Sequence, residues 1–310
     1  MEKALLIINP SSGGEKAKNY EDKVLSKLRS RFEEVEVRYT KKAKDAFLFA
    51  KEAARERYKA VFVMGGDGTV NEGIGGIAQE EYRPAFGFFP LGTVNDLARA
   101  LHIPLNPDKA IESFDRFCLR SMDIGRVNEG YFMNVVAIGA IPEAINTVES
   151  EEKTRWGKLA YFMAGFKKII SSRSYAFLLE IDGEKREIRS SILLIGLTNS
   201  IGGFEGILPE AQVNDGLLHM IYIKDETLLD TIKAVPDLLI GIDESVGNVE
   251  YIRFKEARIE QKEDEALRVN IDGDEGDALP VEIAVLPSHI QVYCPPEEEI
   301  ADGKQSRGII

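Results

Sequence analysis

Four times in the first hundred residues an apolar run is followed by a loop and then by a stretch with helical periodicity, an order that leaves few folds open. Residues 4–8, 35–39, 60–64 and 85–89 are the runs. The first, third and fourth are continuously apolar, the pattern of strands covered on both faces. Between them, residues 16–31 carry Val24, Leu25 and Leu28 on one helical face, and residues 45–58 carry Ala46, Phe49, Ala50, Ala53 and Ala54. Residues 70–78 and 94–101 continue the alternation. This order predicts a parallel sheet with helices on its faces. Ligands of such sheets bind outside the carboxyl ends of the strands, where the glycine-bearing loops of this chain fall.

After Leu101 the rhythm changes. Pro104 and Pro107 mark a connection, and a short helix is predicted over 108–117. Residues 177–181 and 185–188 flank Asp182-Gly183, a pair suited to a tight hairpin turn. Further strands are predicted over 192–197, 217–223, 257–261, 267–271, 281–285 and 290–293, and helices over 156–170 and 228–240. The expectation is therefore an α/β nucleotide-binding domain over 1–125 and an antiparallel, sandwich-like β domain over 126–294. The end, 295–310, can return to the first domain, and its polar residues from 297 read as a frayed tail.

Composition narrows the function. A net charge of −13 argues against a nucleic-acid binder, which needs a basic face. Hydrophobic residues at 44% and charged residues at 29% exclude disorder. No apolar run approaches the roughly 18 residues of a membrane span, and the opening run is too short for a signal peptide. Cys118 and Cys294 lack paired spacing and read as thiols of a cytoplasmic protein.

Three loops carry the chemistry. Gly65-Gly66-Asp67-Gly68-Thr69-Val70-Asn71-Glu72 combines glycines, which admit a ligand close to the backbone, with a helix start near Thr69 or Val70 whose N–H groups suit phosphate. Its one carboxylate at the turn, Asp67, could hold Mg²⁺ beside a polyphosphate or simply cap the turn. Asn9-Pro10-Ser11-Ser12-Gly13-Gly14 and Pro90-Leu91-Gly92-Thr93-Val94-Asn95-Asp96 have similar character, with Thr93 or Asn95 able to cap the following helix. Each alone could be an ordinary βα turn; three at one edge favour a nucleotide site.

Together these motifs resemble the diacylglycerol kinase catalytic domain, closest to the soluble bacterial lipid kinases of the YegS and BmrU type, over nearly the whole chain. The resemblance implies an NAD kinase/diacylglycerol kinase-like α/β domain followed by an all-β domain. It implies ATP contacts at Asn9, Pro10, Ser11, Ser12, Gly13, Thr40, Gly65, Gly66, Asp67, Gly68, Thr69, Val70, Asn71, Glu72 and Thr93. It also implies Mg²⁺ organised by Asp67, Asp96 and Asp123. The segment 209–217 resembles a family structural Mg²⁺ site, implying Asp215 as side-chain ligand with main-chain oxygens of Gln212 and Leu217. Residues 270–276 resemble the family motif that ends in a glutamate base. Here Asp274 stands in that place, one methylene shorter, and is the implied base with Asp272 supporting it. An acidic hairpin turn explains the same residues.

The implied activity is ATP- and Mg²⁺-dependent phosphorylation of a membrane lipid hydroxyl, diacylglycerol foremost. The enzyme would be a cytoplasmic protein peripheral at the inner membrane face, and family members often form homodimers. Residues 153–168, with Arg155, Lys158, Lys167 and Lys168 among aromatics, have the composition of an interfacial helix or of an ordinary half-buried one. His102, His219 and His289 lie outside every motif. The rival expectations are an NAD kinase, which shares Gly-Gly-Asp-Gly but not usually the other two loops, and a nucleotide- or lipid-binding protein without catalysis.

Overall fold

The computed structural model describes residues 2–15, 17–139, 174–205, 207–224, 249–262 and 267–296. The expected helices over 156–170 and 228–240, the basic aromatic segment 153–168 and the tail from 297 lie outside the described residues. The chain divides into two compact units, Met1–Ile124 with Pro287–Ile310, and Gly125–Leu286. The return thus begins at Pro287, and residues 287–294 group with the first unit rather than the second.

In the first unit the strands are β1 (Lys3–Ile8), β2 (Glu34–Tyr39), β3 (Ala60–Gly65) and β4 (Ala85–Pro90). The helical segments are α1 (Ser12–Glu15), a single turn with Gly13 and Gly14 left-handed, α2 (Ala17–Arg29), α3 (Asp45–Arg55), α4 (Asp67–Ala78), α5 (Asp96–Ala100) and α6 (Pro107–Ser113). The strands are ordered β2-β1-β3-β4, parallel at every pairing. Because β2 lies on one side of β1 and β3 on the other, right-handed crossovers send α2 to one face and α3 and α4 to the other. α3 packs along α4, and α2 against α6, as this requires. Every residue of β3 is buried, and Phe62 at its centre stacks on Tyr293 at 5.3 Å and meets Phe114 edge-on at 5.5 Å. A fully buried ring of this kind contributes roughly 2–3 kcal/mol.

β5 (Cys118–Val127) carries the chain into the second unit. There follow β6 (Gly130–Phe132), β7 (Val135–Gly139), β8 (Tyr175–Ile181), β9 (Glu184–Ser190), β10 (Ile192–Gly196), β11 (Ser200–Ile201), β12 (Phe204–Glu205), β13 (Leu218–Ile223), β14 (Val249–Phe254), β15 (Glu256–Gln261), β16 (Arg268–Ile271), β17 (Asp274–Ala278) and β18 (Val281–Cys294). One antiparallel sheet runs β14-β13-β10-β7-β16-β17, and the first part of β18 joins β15, β8 and β9 in another. Alternate residues of both sheets form one core: Val136, Ile138, Leu193 and Ile195 with Phe177, Leu179, Ile259 and Ile283. This is the expected β-sandwich. Asp182 (φ 48°) and Gly183 (φ 85°) make the tight turn that their sequence predicts.

Two expectations change. The separate strands over 281–285 and 290–293 are one strand, β18, which pairs antiparallel with β15 at Val281–Ala284 positions and parallel with β4 at Val292. Pro287 falls between these pairings and has no N–H to give to a ladder. No strand is predicted from the sequence at β5, β6, β7, β11, β12, β14 or β17. β17, Asp-Glu-Gly-Asp-Ala, has the composition of a solvated turn and exists because β16 offers it a ladder. Among the described residues no helix is long and apolar enough to cross a membrane.

Candidate functional site

The sheet order of the first unit reverses between β1 and β3, so the loops after these two strands part to opposite faces and leave a crevice at their carboxyl ends. Side chains and backbone tie the three motif loops together there. Asn9 Nδ2 donates to Thr69 Oγ1 at 3.0 Å, and the Gly66 N–H donates to Ser12 Oγ at 3.3 Å. The Leu91 N–H donates to the Gly65 carbonyl at 2.8 Å. The third loop touches the second at its glycines: a Cβ on Gly92 would lie 2.9 Å from Gly66 Cα and 2.6 Å from Asn95 Oδ1. A Cβ on Gly68 would meet nothing within 4 Å, so the first turn of α4 opens outward.

The helix α4 begins at Asp67, not at Thr69 or Val70 as the sequence suggested, with Gly66 at the cap position. Asp67 therefore stands in the first turn, where the helix dipole favours its charge. Its carboxylate reaches across to the third loop. Oδ2 accepts the Asn95 N–H at 2.8 Å and Oδ1 accepts the Asp96 N–H at 3.0 Å. Neither Thr93 nor Asn95 caps α5 by its own side chain. Asn95 adopts φ 53° and turns back on Gly92, accepting from its N–H at 3.0 Å and donating to its carbonyl at 2.7 Å. The cap comes from Asp67, 28 residues upstream. Burial pushes the Asp67 carboxyl up and the neighbouring Asp96 charge adds to this, while the Asn95 and Asp96 N–H groups pull it back.

Glu72 binds backbone rather than open space: it accepts the Lys44 N–H at 2.8 Å and the Ala46 N–H at 3.2 Å, anchoring the start of α3. Asp45 accepts the Lys41 and Lys42 N–H groups at 2.8 and 3.0 Å, which hold its carboxyl below the usual range. These bonds fix the loop that Thr40 opens, whose N–H donates to Ile8 at 2.9 Å. Asn71, one turn on from Asp67, has a buried Oδ1 with no hydrogen-bond partner among the described residues. Val70 is buried, Thr93 is exposed, and Asp123 (2% exposed) accepts the Ser288 N–H at 2.7 Å, between the two strands that link the units.

The other three acidic candidates belong to the second unit. Asp272 (φ 51°) and Gly273 (φ 100°) form the turn between β16 and β17. The Asp272 carboxylate accepts the N–H groups of Met133, Asn134 and Val135 at 2.9, 3.0 and 2.8 Å. Asp274 is exposed and its carboxylate has no hydrogen bond or ion pair with another described residue, whereas Glu275 pairs with Arg268 at 2.7 Å. Asp215 accepts from Gln212 N and Leu217 N, both at 2.9 Å, and from His219 Nε2 at 2.9 Å. The other ring nitrogen of His219 bonds Tyr251, whose hydroxyl burial raises to about 12.

These donor sets bear on metal binding. Each oxygen of Asp67 accepts one bond and keeps a lone pair, so this hard ligand, with the buried Asp96 beside it, fits a Mg²⁺ ion whose remaining ligands are water and phosphate. At Asp215, Oδ2 already accepts two bonds and only Oδ1 has capacity left; hydrogen bonds alone account for the turn. Among the described residues no group of three or more His, Cys, Asp or Glu side chains is arranged as a metal cage.

The family model for the diacylglycerol kinase catalytic domain matches residues 3–127, and that for the YegS C-terminal NAD kinase beta sandwich-like domain matches residues 134–294. A relative named diacylglycerol kinase from Bacillus subtilis (strain 168) is 36% identical over 299 residues, covering 96% of this chain and 98% of the relative. The chain belongs to the diacylglycerol kinase family. It is a lipid kinase. A diacylglycerol kinase from Staphylococcus carnosus (strain TM300) is 34% identical, with 95% of each chain covered. A solved structure titled as a diacylglycerol kinase from Bacillus anthracis str. Sterne superimposes with a TM-score of 0.77 at 25% identity, covering 96% of this chain and 98% of that one.

In this lipid kinase the first-unit loops around Asn9, Ser12, Gly66, Asp67, Thr69 and Asp96 form one connected rim. Asp272 and Asp274 form one hairpin of the second unit, and Gln212, Asp215 and Leu217 one turn. Gly92 and Asn95 are part of the rim but were not placed among the site residues. Both stand inside the third loop motif, and asparagine is among the non-glycine residues that most readily take a left-handed backbone. The turn at Asp215 yields a pH test. Burial pushes this carboxyl up, but its bonds to His219, Gln212 and Leu217 outweigh burial and hold it below its usual value. Ionised Asp215 therefore stabilises the fold above about pH 4, and that contribution fades as pH falls further. Asp215→Asn should lower the thermal midpoint at pH 7, and the deficit should shrink towards pH 3 in paired melting curves.

Proposed function

We propose that this lipid kinase transfers the γ-phosphoryl group of ATP, with Mg²⁺, to the hydroxyl of diacylglycerol, giving phosphatidic acid at the cytoplasmic face of a membrane. The observation that carries the proposal is the first-unit rim: three loops bonded to one another at the sheet's switch point, with Asp67 at the start of α4. The diacylglycerol kinase names of the relatives support the acceptor. Mg²⁺-ATP, when bound, supplies the electrophilic phosphoryl group and neutralises its charge. The Gly68 and Thr69 N–H groups, in the first turn of α4, have no intrahelical acceptor and suit phosphate oxygens. Asp67 orients the third loop and keeps lone pairs for a hydrated cation. Asn71 Oδ1, buried and without a partner among the described residues, suits a donor group of the nucleotide.

The Asp274 carboxylate, without a partner among the described residues, is available to take the proton of the acceptor hydroxyl, and Asp272 fixes the turn that presents it. The lipid is reached by reversible surface contact, for which residues 153–168 have the composition. The test is transfer of ³²P from γ-labelled ATP to a panel of diacylglycerol, phosphatidylglycerol, a polyprenol, a sphingoid base and NAD. Diacylglycerol should be labelled at the highest kcat/KM, and chelation of Mg²⁺ should stop the transfer. Preferential labelling of NAD or of another lipid would overturn the assignment.

A further inference from the structure

The chain has only two cysteines, and they meet in space although 176 residues separate them. Cys118 Sγ lies 3.7 Å from the Cys294 carbonyl oxygen. A residue touches only about ten others, so two randomly placed cysteines in a chain of 310 residues would touch in roughly 3% of cases.

The contact has a definite register. Along β5 and β18, Gln291 Nε2 donates to Ser121 Oγ at 2.8 Å and Ser288 N donates to Asp123 Oδ1 at 2.7 Å. Partners fall in number along β18 as they rise along β5, so these paired strands run antiparallel here. Stepping three residues from the Ser121–Gln291 pair brings Cys118 opposite Cys294. Directly opposed residues of antiparallel strands have Cβ atoms about 4.5–5.5 Å apart, and disulfides take about 3.5–4.5 Å, so a small strand adjustment suffices. The two sulfurs differ in access: Cys118 is exposed and Cys294 is 0% exposed.

We propose that Cys118 and Cys294 are a redox-sensitive pair that closes to a reversible disulfide on exposure to hydroperoxide. The Cys118 thiolate attacks the peroxide O–O bond, giving a sulfenic acid and, for hydrogen peroxide, one water once protons are taken up. The Cys294 thiolate then attacks the sulfenic sulfur, the S–S bond forms and a second water leaves. Two thiols are oxidised by two electrons and one hydrogen peroxide is reduced to two waters. The burial of Cys294 makes it the resolving rather than the sensing thiol. The bond would tie the first-unit ends of the two strands through which the chain leaves and re-enters that unit, and would enclose all of Gly125–Leu286 in its loop. Closing so long a loop restricts the unfolded chain strongly.

The test treats the full-length folded protein with hydrogen peroxide near neutral pH, alkylates remaining thiols and maps peptides without reduction. The expected result is a monomer lighter by two hydrogens with a peptide joining Cys118 to Cys294. Its melting temperature should be several degrees higher, and dithiothreitol should return it. Cys118→Ser should leave Cys294 as a thiol that is alkylated only after unfolding. If that variant does not fold, the wild-type peptide map alone decides. A Cys118 sulfinic acid beside an intact Cys294 thiol, a Cys118–Cys118 dimer, or no change in either residue would each overturn the proposal.

Discussion

Asp67→Ala should lower phosphoryl transfer to lipid by about 100- to 1,000-fold, the range seen when one aimed electrostatic group is removed from a reaction centre. The carboxylate has two functions that the substitution removes together. It accepts the Asn95 and Asp96 N–H groups, and it is the rim's candidate ligand for a hydrated cation. Each buried N–H left unpaired costs about 1–3 kcal/mol, so the alanine variant should also lose stability and let the third loop drift. Asp67→Asn separates the two effects. Its amide keeps one acceptor and the side-chain shape, so it should melt closer to the wild type while transferring phosphate as poorly as alanine. Burial holds the Asp67 carboxyl above its usual value, so ionising it costs the fold stability as pH rises above about 4. The melting temperature of Asp67→Asn relative to wild type should therefore improve between pH 4 and 7. The checks are a γ-³²P-ATP assay with diacylglycerol in mixed micelles and parallel melting curves. Transfer by Asp67→Asn at the wild-type rate would remove Asp67 from the reaction.

The second large effect is expected at Asp272, and it is on stability. Asp272→Ala should destabilise the second unit by roughly 4 kcal/mol. Three N–H groups, those of Met133, Asn134 and Val135, converge on its carboxylate, and hydrogen bonds to a charged group contribute about 1.5–3 kcal/mol each. Alanine must also hold the positive φ of the turn, which Asp and Asn tolerate better. Asp272→Asn should recover part of the loss. Asp274→Ala, two residues on, removes an exposed side chain with no described partner and should stay within about 0.5 kcal/mol of wild type. If Asp274 is the base, its variant loses activity while keeping its fold, whereas Asp272→Ala loses both. Urea unfolding with amide exchange at Asn134 and Val135 reads the first effect, and kcat under saturating lipid reads the second. Equal stability of Asp272→Ala and wild type would contradict the clamp.

These two residues mark where sequence reasoning stops. Both lie in motifs that were visible at once, and the resemblance gave both a chemical part. The bonds they make could not be read. The partner of Asp67 begins 28 residues on and those of Asp272 lie 137 to 139 residues back, and no local spacing encodes either distance. Glu72 shows the same limit: it stands inside the glycine motif, yet its two oxygens hold the backbone of the loop before α3. Acidic β17 was invisible for the opposite reason, since its strand conformation is imposed by the neighbouring ladder and not by its own residues.

Periodicity and motif order were enough, by themselves, to determine the parallel α/β half, the β-rich half, the three loops at one edge and the family. Apolar repeats of two and 3.6 residues and glycines before helices act over a few positions, and a linear chain displays them directly. Only tertiary structure decided that Asp67 caps a helix in another loop, that Asp272 clamps the start of β7, that β18 passes from one unit to the other, and that the two cysteines are neighbours. Each of these is a contact between segments far apart in sequence, fixed by sheet order and register, which depend on the packing of the whole chain at once.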